Sequence, residues 1–496
     1  MKTLYFYVAS FLSNAAILVF EISGGRLLAP YLGTSVEVWA GLIAIFLGSM
    51  AIGYYFGGRI ADRNASQKTI SLYFFIAGAA ALLAWGFRDI IPTLFRATDL
   101  PLTLDALIIG AVIFLPTIVV LAAISPMIAK NLLTGLDDSA RVVGTLGAVG
   151  TVGSIAGAVL TGLVLIPFFG VSTIMLGVAF TLIAFALFLG HDKLASKTFF
   201  LIMVALMSGF LNTAPTRASA AIGEKETTYS RIFIEQVAYQ GREARFVSID
   251  PHGVQCGMFL NEDGSLDVDS IAFTYIQAYD LVVRSVHAKS PPERALFLGG
   301  CNYSYPRQFA REFPTAHTDV VEIDPGMTTV AREYFGFDEG EFPSLTVIHE
   351  DARTYVNEAH NPYDLIIMDV FGSMNNIPVQ VTTKEMFEGL SRHITEDGFV
   401  AINIIGAARG PLSSFTAAFV NTAKTVFPHV GLYMFSDSRP AKRQNFILIA
   451  SKNREFERAL MDPAYPDLAL VQIEPDKSRL VLTDDYAPVE YLATKR

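Results

Sequence analysis

The sequence predicts a multi-pass α-helical membrane domain followed by an α/β domain built on a small β-hairpin sheet and a doubly wound parallel sheet. Three observations carry this. The 496-residue chain is 52% hydrophobic and only 17% charged, with a mean hydropathy of +0.42, which is too apolar for an ordinary soluble protein. Nearly all of the excess lies before about Thr213. From Arg294 onward, short apolar runs alternate with helical patterns, as successive βαβ units do. The expected boundaries are 1–215 for the membrane domain, 216–290 for a hairpin subdomain with a connecting helix, and 291–496 for the Rossmann-like sheet.

A membrane helix needs roughly 20 apolar residues. Seven stretches qualify: 4–28, 37–57, 70–87, 104–125, 142–167, 171–190 and 197–214. The first carries Glu21 and Arg26 and is followed by further spans, so it reads as a retained helix rather than a leader. Charges at that depth are costly unless paired or wet, so they either lock helices together or form a site. The fifth span, GTLGAVGTVGSIAGAVLTG, holds a GxxxG at Gly153 and Gly157, a packing face for another helix. The loops after spans two, four and six carry Arg59, Arg63 and Lys68, then Lys130 and Arg141, then Lys193 and Lys197. Basic loops stay in the cytoplasm, which with seven spans places the C-terminal half outside a bacterial inner (plasma) membrane. Arg88 and Arg96 lie on the opposite side of that scheme.

The segment from Glu226 to Leu260 alternates apolar and polar residues, with turn signals at Gln240-Gly241 and His252-Gly253, and reads as antiparallel hairpins. A helix follows and ends before Pro291-Pro292. Then come strand RALFLGG, helix PRQFAREF, strand HTDVVEID, helix MTTVAREYF, strand LTVIHEDA, helix RTYVNEA, strand YDLIIMDVF, helix TKEMFEGLSRHI, strand GFVAINII, helix SFTAAFVNTAKTVF and the strands VGLYMF and NFILIAS. Ligands in doubly wound sheets bind beyond the carboxyl ends of the strands. Gly299 and Gly300 stand at the first such end, Glu322 and Asp324 at the second, Asp351 at the third and Asp369 at the fourth. One acid there would simply cap a helix. Acids at three successive ends favour a nucleoside site, in which the acid after the second strand takes ribose hydroxyls.

The net charge of −10 argues against a nucleic-acid surface and suits a small cationic partner. Two cysteines, Cys256 and Cys301, are too few for zinc spacing and leave two buried thiols or one disulfide. No metal is expected.

The stretches DVVEIDPGMTTVAREYFG, HEDARTYV, YDLIIMDVFG and NNIPVQVTTKEMF resemble the spermidine synthase (polyamine aminopropyltransferase) family, a branch of the methyltransferase fold. ETTYSRIFI, DPHGVQCGMFLNED and LTDDYAPVEYL are similar to its flanking motifs. FEISGGRLLAPYLGTS and GYYFGGRIADR resemble the fused membrane members. The resemblance implies transfer of an aminopropyl group from decarboxylated S-adenosylmethionine to a polyamine acceptor. It would give Glu322 the ribose, Asp351 the adenine and Asp369 the catalytic, amine-facing role. Gly299, Gly300 and Gln255 would border the cosubstrate, and Tyr275 and Asn375 the acceptor. It also implies a homo-oligomer.

The chain departs from the family pattern in places. The glycine-rich loop shrinks to Gly299 and Gly300, followed by bulky Tyr303 and Tyr305. The aspartate expected just after Asp369 is absent, since Gly372, Met374, Asn375 and Asn376 stand there. These departures keep two alternatives in view: a binding sensor or scaffold without turnover, and a transporter with a regulatory soluble domain. The family layout brings Cys256 and Cys301 near the pocket, where a disulfide would suit an oxidising compartment and plug the loop.

Overall fold

The computed structural model describes residues 2–32, 36–88, 90–95, 102–133, 135, 139–189, 221–249, 253–287, 290–358, 360–371 and 377–494. The chain divides into two compact units, Met1–Ala220 and Ala221–Arg496.

Among the described residues of the first unit, six helices are long and apolar enough to cross a membrane. They are α1 (Lys2–Leu32), α2 (Val36–Arg63), α3 (Gln67–Phe87), α5 (Leu102–Leu132), α6 (Ser139–Leu160) and α8 (Val171–Leu189), with the short α4 (Ile90–Phe95) before α5. A π-helical turn at Thr161–Leu165 joins α6 to α7 (Ile166–Phe168), so the expected fifth span is one continuous rod. The seventh expected span, 197–214, lies outside the described residues.

Small residues set the helix pairing. A Cβ on Gly157 would sit 2.5 Å from the Ala15 carbonyl oxygen, and one on Gly153 would strike that of Phe11. The GxxxG therefore packs directly on the backbone of α1, as van der Waals association in lipid favours. A second such face, not picked out from the sequence, is Gly53 and Gly57 of α2. A Cβ on Gly57 would meet Ala123 of α5 at 2.6 Å.

In the second unit, β1 (Gly223–Glu226), β2 (Arg231–Tyr239), β3 (Arg242–Ser248) and β4 (Cys256–Phe259) form an antiparallel sheet in chain order. Gln240 and Gly241 make the two-residue turn between β2 and β3, both with positive φ (50° and 80°), as a type I′ hairpin requires. His252 of the other expected turn lies outside the described residues. Helix α9 (Thr274–His287) leads into the large sheet.

That sheet contains β5 (Arg294–Leu298), β6 (His317–Val321), β7 (Leu345–Ile348), β8 (Tyr363–Met368), β9 (Ile394–Gly406), β10 (His429–Phe435), β11 (Gln444–Ser451), β12 (Ala459–Met461) and β13 (Ala469–Ile473). Their order is β12-β13-β10-β11-β9-β8-β5-β6-β7. Strands β5 to β9 are mutually parallel, as expected. The strands beyond them make the sheet as a whole mixed. Strand β11 enters antiparallel between β9 and β10, because the loop from β10 is a hairpin connection and a hairpin reverses the chain. The edge strands β13 and β12 continue antiparallel.

Side chains alternate across this sheet. Leu296, Leu298, Ile366 and Met368 enter one core, while Ala295, Phe297, Leu365 and Ile367 enter the other. With both faces covered, the strands read as continuous apolar runs, and only their ends are left for polar chemistry.

Replacing Gly157 by leucine is expected to lower the stability of the helical unit by about 1–3 kcal/mol, the usual penalty for overpacking. Thermal unfolding of the full chain in detergent tests this. An unchanged transition would mean that α1 and α6 do not meet at this glycine.

Candidate active site

The register of the large sheet brings the candidate residues to one level. Leu298, the last residue of β5, pairs with Val321 on one side and Met368 on the other. The next residues, Gly299, Glu322 and Asp369, therefore emerge side by side. This is also where chain order reverses. The strands that follow β5 (β6 and β7) lie on one flank, and β8 and β9 lie on the other. Such a switch point opens a crevice at the carboxyl ends of the strands.

Gly299 has φ +100°, and a Cβ there would collide with the carbonyl oxygen of Asp369. No L side chain fits that backbone or that space. After Gly300 the loop turns through Cys301 and Tyr303, both left-handed with φ of 45° and 57°. Non-glycine residues adopt that region at a cost, so the surroundings must hold them. Glu322 does so. Its Oε2 accepts the N–H groups of Gly300 at 2.9 Å and Cys301 at 3.1 Å, and its Oε1 accepts that of Asp324 at 3.0 Å. Burial pushes the Glu322 carboxyl above its ordinary range, and the three N–H bonds oppose that. The residue expected to take a ribose is thus already the anchor of its own loop.

The bulky Tyr303 and Tyr305 that follow the two glycines are not among the residues lining the crevice. Tyr303 is fully buried, stacks on Phe337 with centroids 4.3 Å apart, and shares a hydrogen bond with Thr328 at 2.7 Å. Tyr305 packs edge-on against Phe297 and stacked against Tyr279. The left-handed turn aims both rings into the core beneath the loop.

Cys256 and Cys301 form a disulfide with Cα atoms 6.4 Å apart. This decides between the two options the sequence left open. The bridge ties the first residue of β4 to the loop after β5, so the hairpin sheet and the large sheet share one wall. It borders the crevice without plugging it, since a cavity of about 350 Å³ remains.

Gln255, Tyr275, Gly299, Cys301, Glu322, Glu350, Asp351 and Asp369 all line that cavity. Gly300 is not among the lining residues and contributes its N–H to Glu322. Asp351 caps the helix Ala352–Asn357 through the N–H of Thr354 at 3.0 Å. Asp324 caps Pro325–Phe335 through Gly326 and also accepts the hydroxyls of Thr227 (2.6 Å) and Ser230 (3.1 Å). The capping role weighed for these acids is therefore present, and for Asp324 it is combined with a brace to the hairpin sheet. Asn375 lies outside the described residues.

Asp369 is the most perturbed acid here. Burial pushes its carboxyl up to about 6, while hydrogen bonds from Asn403 and Tyr275 pull it back. The Asn403 amide donates to Oδ1 at 3.1 Å, and Asn445 donates to the Asn403 oxygen at 2.9 Å. The single Tyr275 proton has two acceptors in reach, Asp369 and the Gln255 carbonyl at 3.0 Å. Sequence reasoning passed over Asn403 and Asn445. The available signal was an amide within the apolar run GFVAINII and another at the head of NFILIAS, since a buried polar group needs a partner. Among the described residues, no cluster of three His, Cys, Asp or Glu is placed to hold a metal.

A crevice of this size, with acids at three strand ends and a carboxyl titrating near neutrality, can hold a nucleoside beside a cation and exchange a proton with it. Replacing both cysteines by alanine is expected to cost about 4 kcal/mol of unfolding free energy, from the chain entropy of a loop this long. Urea unfolding of the double variant checks the magnitude. Alkylation of the unreduced protein followed by mass spectrometry should find neither thiol free.

Residues 278–453 match the spermine/spermidine synthase domain. The chain is 25% identical over 237 residues to a probable polyamine aminopropyl transferase of Bifidobacterium longum, covering 43% of this chain and 52% of that one. It thus spans about half the length of that relative. It is 24% identical over 411 residues to polyamine aminopropyltransferase 1 of Streptomyces coelicolor, covering 80% of this chain and 74% of the relative. That span exceeds the whole second unit, so the match extends into the helical unit. Among solved structures, a probable spermidine synthase from Corynebacterium glutamicum is 25% identical, with a TM-score of 0.41, over 47% of this chain and 81% of that one. The parallel strands β5 to β9 and the acids at their ends lie within the stretch of the C-terminal half, residues 278–453, that matches the spermine/spermidine synthase domain.

Proposed function

We propose that the protein is a membrane-anchored aminopropyltransferase that joins decarboxylated S-adenosylmethionine to a small cationic amine in the crevice above β5, β6 and β8. The carrying observation is Asp369, a half-buried carboxyl near pKa 6 that borders the same cavity as Glu322 and Asp351. The nucleoside would lie along Glu322, Asp351 and the Gly299 turn. Its sulfonium carbon would face Asp369.

In this reading the lone pair of the acceptor nitrogen attacks the methylene carbon next to the sulfonium. The C–N bond forms as the C–S bond breaks, and the sulfur keeps the electron pair as a neutral thioether. The nitrogen's proton passes to Asp369, directly or through one water. A base with a pKa near the working pH suits this step. Holding the two reactants in line supplies most of the remaining acceleration. Gln255 would border the nucleoside and Tyr275 the acceptor amine, both from the cavity wall.

Binding without transfer is the second reading, and two observations favour it. Both Glu322 oxygens already accept backbone N–H groups, leaving fewer lone pairs for a ribose. The disulfide suits an oxidising compartment, which agrees with a C-terminal half outside the cytoplasmic face. A reporter active only in the cytoplasm and one active only outside, each fused after Arg496, locate that half.

Incubating the full-length protein with decarboxylated S-adenosylmethionine and a panel of amines, and measuring the thioether product, tests the transfer. Asp369→Asn should lower kcat about 100-fold or more, as removal of a general base does. The base acts in its ionised form, so wild-type activity should rise with pH through about 6. Saturable binding of the nucleoside with no thioether from any amine would leave the second reading standing.

A further inference from the structure

Asp369 sits at the end of a side-chain relay that crosses three strands. Asn445 on β11 donates its amide N–H to Oδ1 of Asn403 on β9 at 2.9 Å. Asn403 in turn donates its amide N–H to Oδ1 of Asp369, just past β8, at 3.1 Å. The sheet makes this possible. Asn445 pairs with Ile405 and Asn403 pairs with Ile447, so the two asparagines are diagonal neighbours on one face. All three residues border the cavity.

We propose that Asn445 is a positioning residue, which fixes the Asn403 amide with its NH2 group turned toward Asp369 and its oxygen turned away. The two ends of an amide are nearly alike in shape, and only their hydrogen-bond partners decide which way it faces. Asn445 offers a donor, so it selects the Asn403 oxygen. The opposite end then has to face the carboxylate. Without that choice, the Asn403 oxygen can turn to Asp369 and repel it.

A purely structural role for this pair is the simpler alternative, because a buried amide needs partners. Exposure separates the two. Asn403 is 3% exposed and needs satisfaction. Asn445 is only half-buried at the cavity wall, where water can replace it as a partner of Asn403. Water can also donate or accept, so it does not select an orientation. What Asn445 adds is the direction of the amide.

Among the described residues, the titratable groups around Asp369 are Tyr275 and Tyr279 from α9, with Glu322, Glu350 and Asp351 elsewhere along the cavity. Burial, reinforced by the charge of Asp369, holds both tyrosines well above their ordinary range. They stay protonated through neutral pH and do not confuse a titration of Asp369.

The catalytic consequence rests on the aminopropyl-transfer reading, but the positioning does not, and the experiment separates them. Full-length protein in detergent, labelled with carboxyl-13C aspartate, is titrated by NMR, and the Asp369 signal is assigned by its loss in Asp369→Asn. Asn445→Leu removes the orienting donor, and Asn445→Ala does so with less bulk. In both, the Asp369 midpoint should move up by about one pH unit, because a hydrogen bond to the charged form has been lost. Asn403→Leu, which removes the direct donor, should move it at least as far. An unmoved midpoint in both Asn445 variants beside a moved one in Asn403→Leu overturns the proposal. Where the wild type turns over, the rising limb of kcat should shift with the midpoint, and kcat well above the limb should return to the wild-type value. A moved midpoint in a protein that makes no thioether keeps the positioning and removes the transferase reading.

Discussion

Glu322 holds the crevice together. The loop leaving β5 must turn sharply, and its backbone N–H groups at Gly300 and Cys301 have no strand to pair with. One buried carboxylate accepts both, together with the N–H of Asp324 on its own loop. Charge-assisted bonds of this kind are stronger than neutral ones. They let two non-glycine residues remain left-handed, and that geometry aims Tyr303 and Tyr305 downward and Cys301 toward Cys256. Loss of Glu322 would leave three N–H groups unpaired, with the disulfide and the buried Tyr303 still tethering the loop.

The crevice is then completed from both sheets. Asp324 receives the hydroxyls of Thr227 and Ser230 from the hairpin region, and Tyr275 donates to the carbonyl beside Cys256. The hairpin sheet is thus fastened to the large sheet by a disulfide, an acid with two hydroxyls, and a phenol. Of the described residues it adds to the wall, Ile249 and Val254 are apolar and Gln255 is polar, which keeps the dielectric low near Asp369. That is why a carboxyl with two hydrogen-bond donors nearby still titrates near 6.

The helical unit obeys a different physics. Its six helices are long and apolar enough to cross a membrane, and close backbone approach through glycine sets their pairs, the packing that lipid would favour. Gly153 and Gly157 join α6 to α1, and Gly53 and Gly57 join α2 to α5. The first face was readable as a run of glycines. The second was hidden among bulky aromatics, GYYFG, which face away from the contact.

The sequence by itself determined the division into an apolar helical half and an α/β half, because hydropathy and period follow directly from the residues. It also placed acids at successive strand ends, because a parallel strand must end where its apolar run ends. Tertiary structure alone decided what those acids touch. Whether Glu322 meets a ribose or its own loop depends on backbone N–H groups 21 and 22 residues away. Likewise, the bulk of Tyr303 was plain from its letter, but its direction came from a left-handed φ that no letter other than glycine advertises. The Asn445–Asn403–Asp369 relay spans three strands whose adjacency is set by the insertion of β11 beside β9. Hydrogen bonds between residues 34 and 42 positions apart leave no periodic trace in a chain. They exist only once the sheet has set its register.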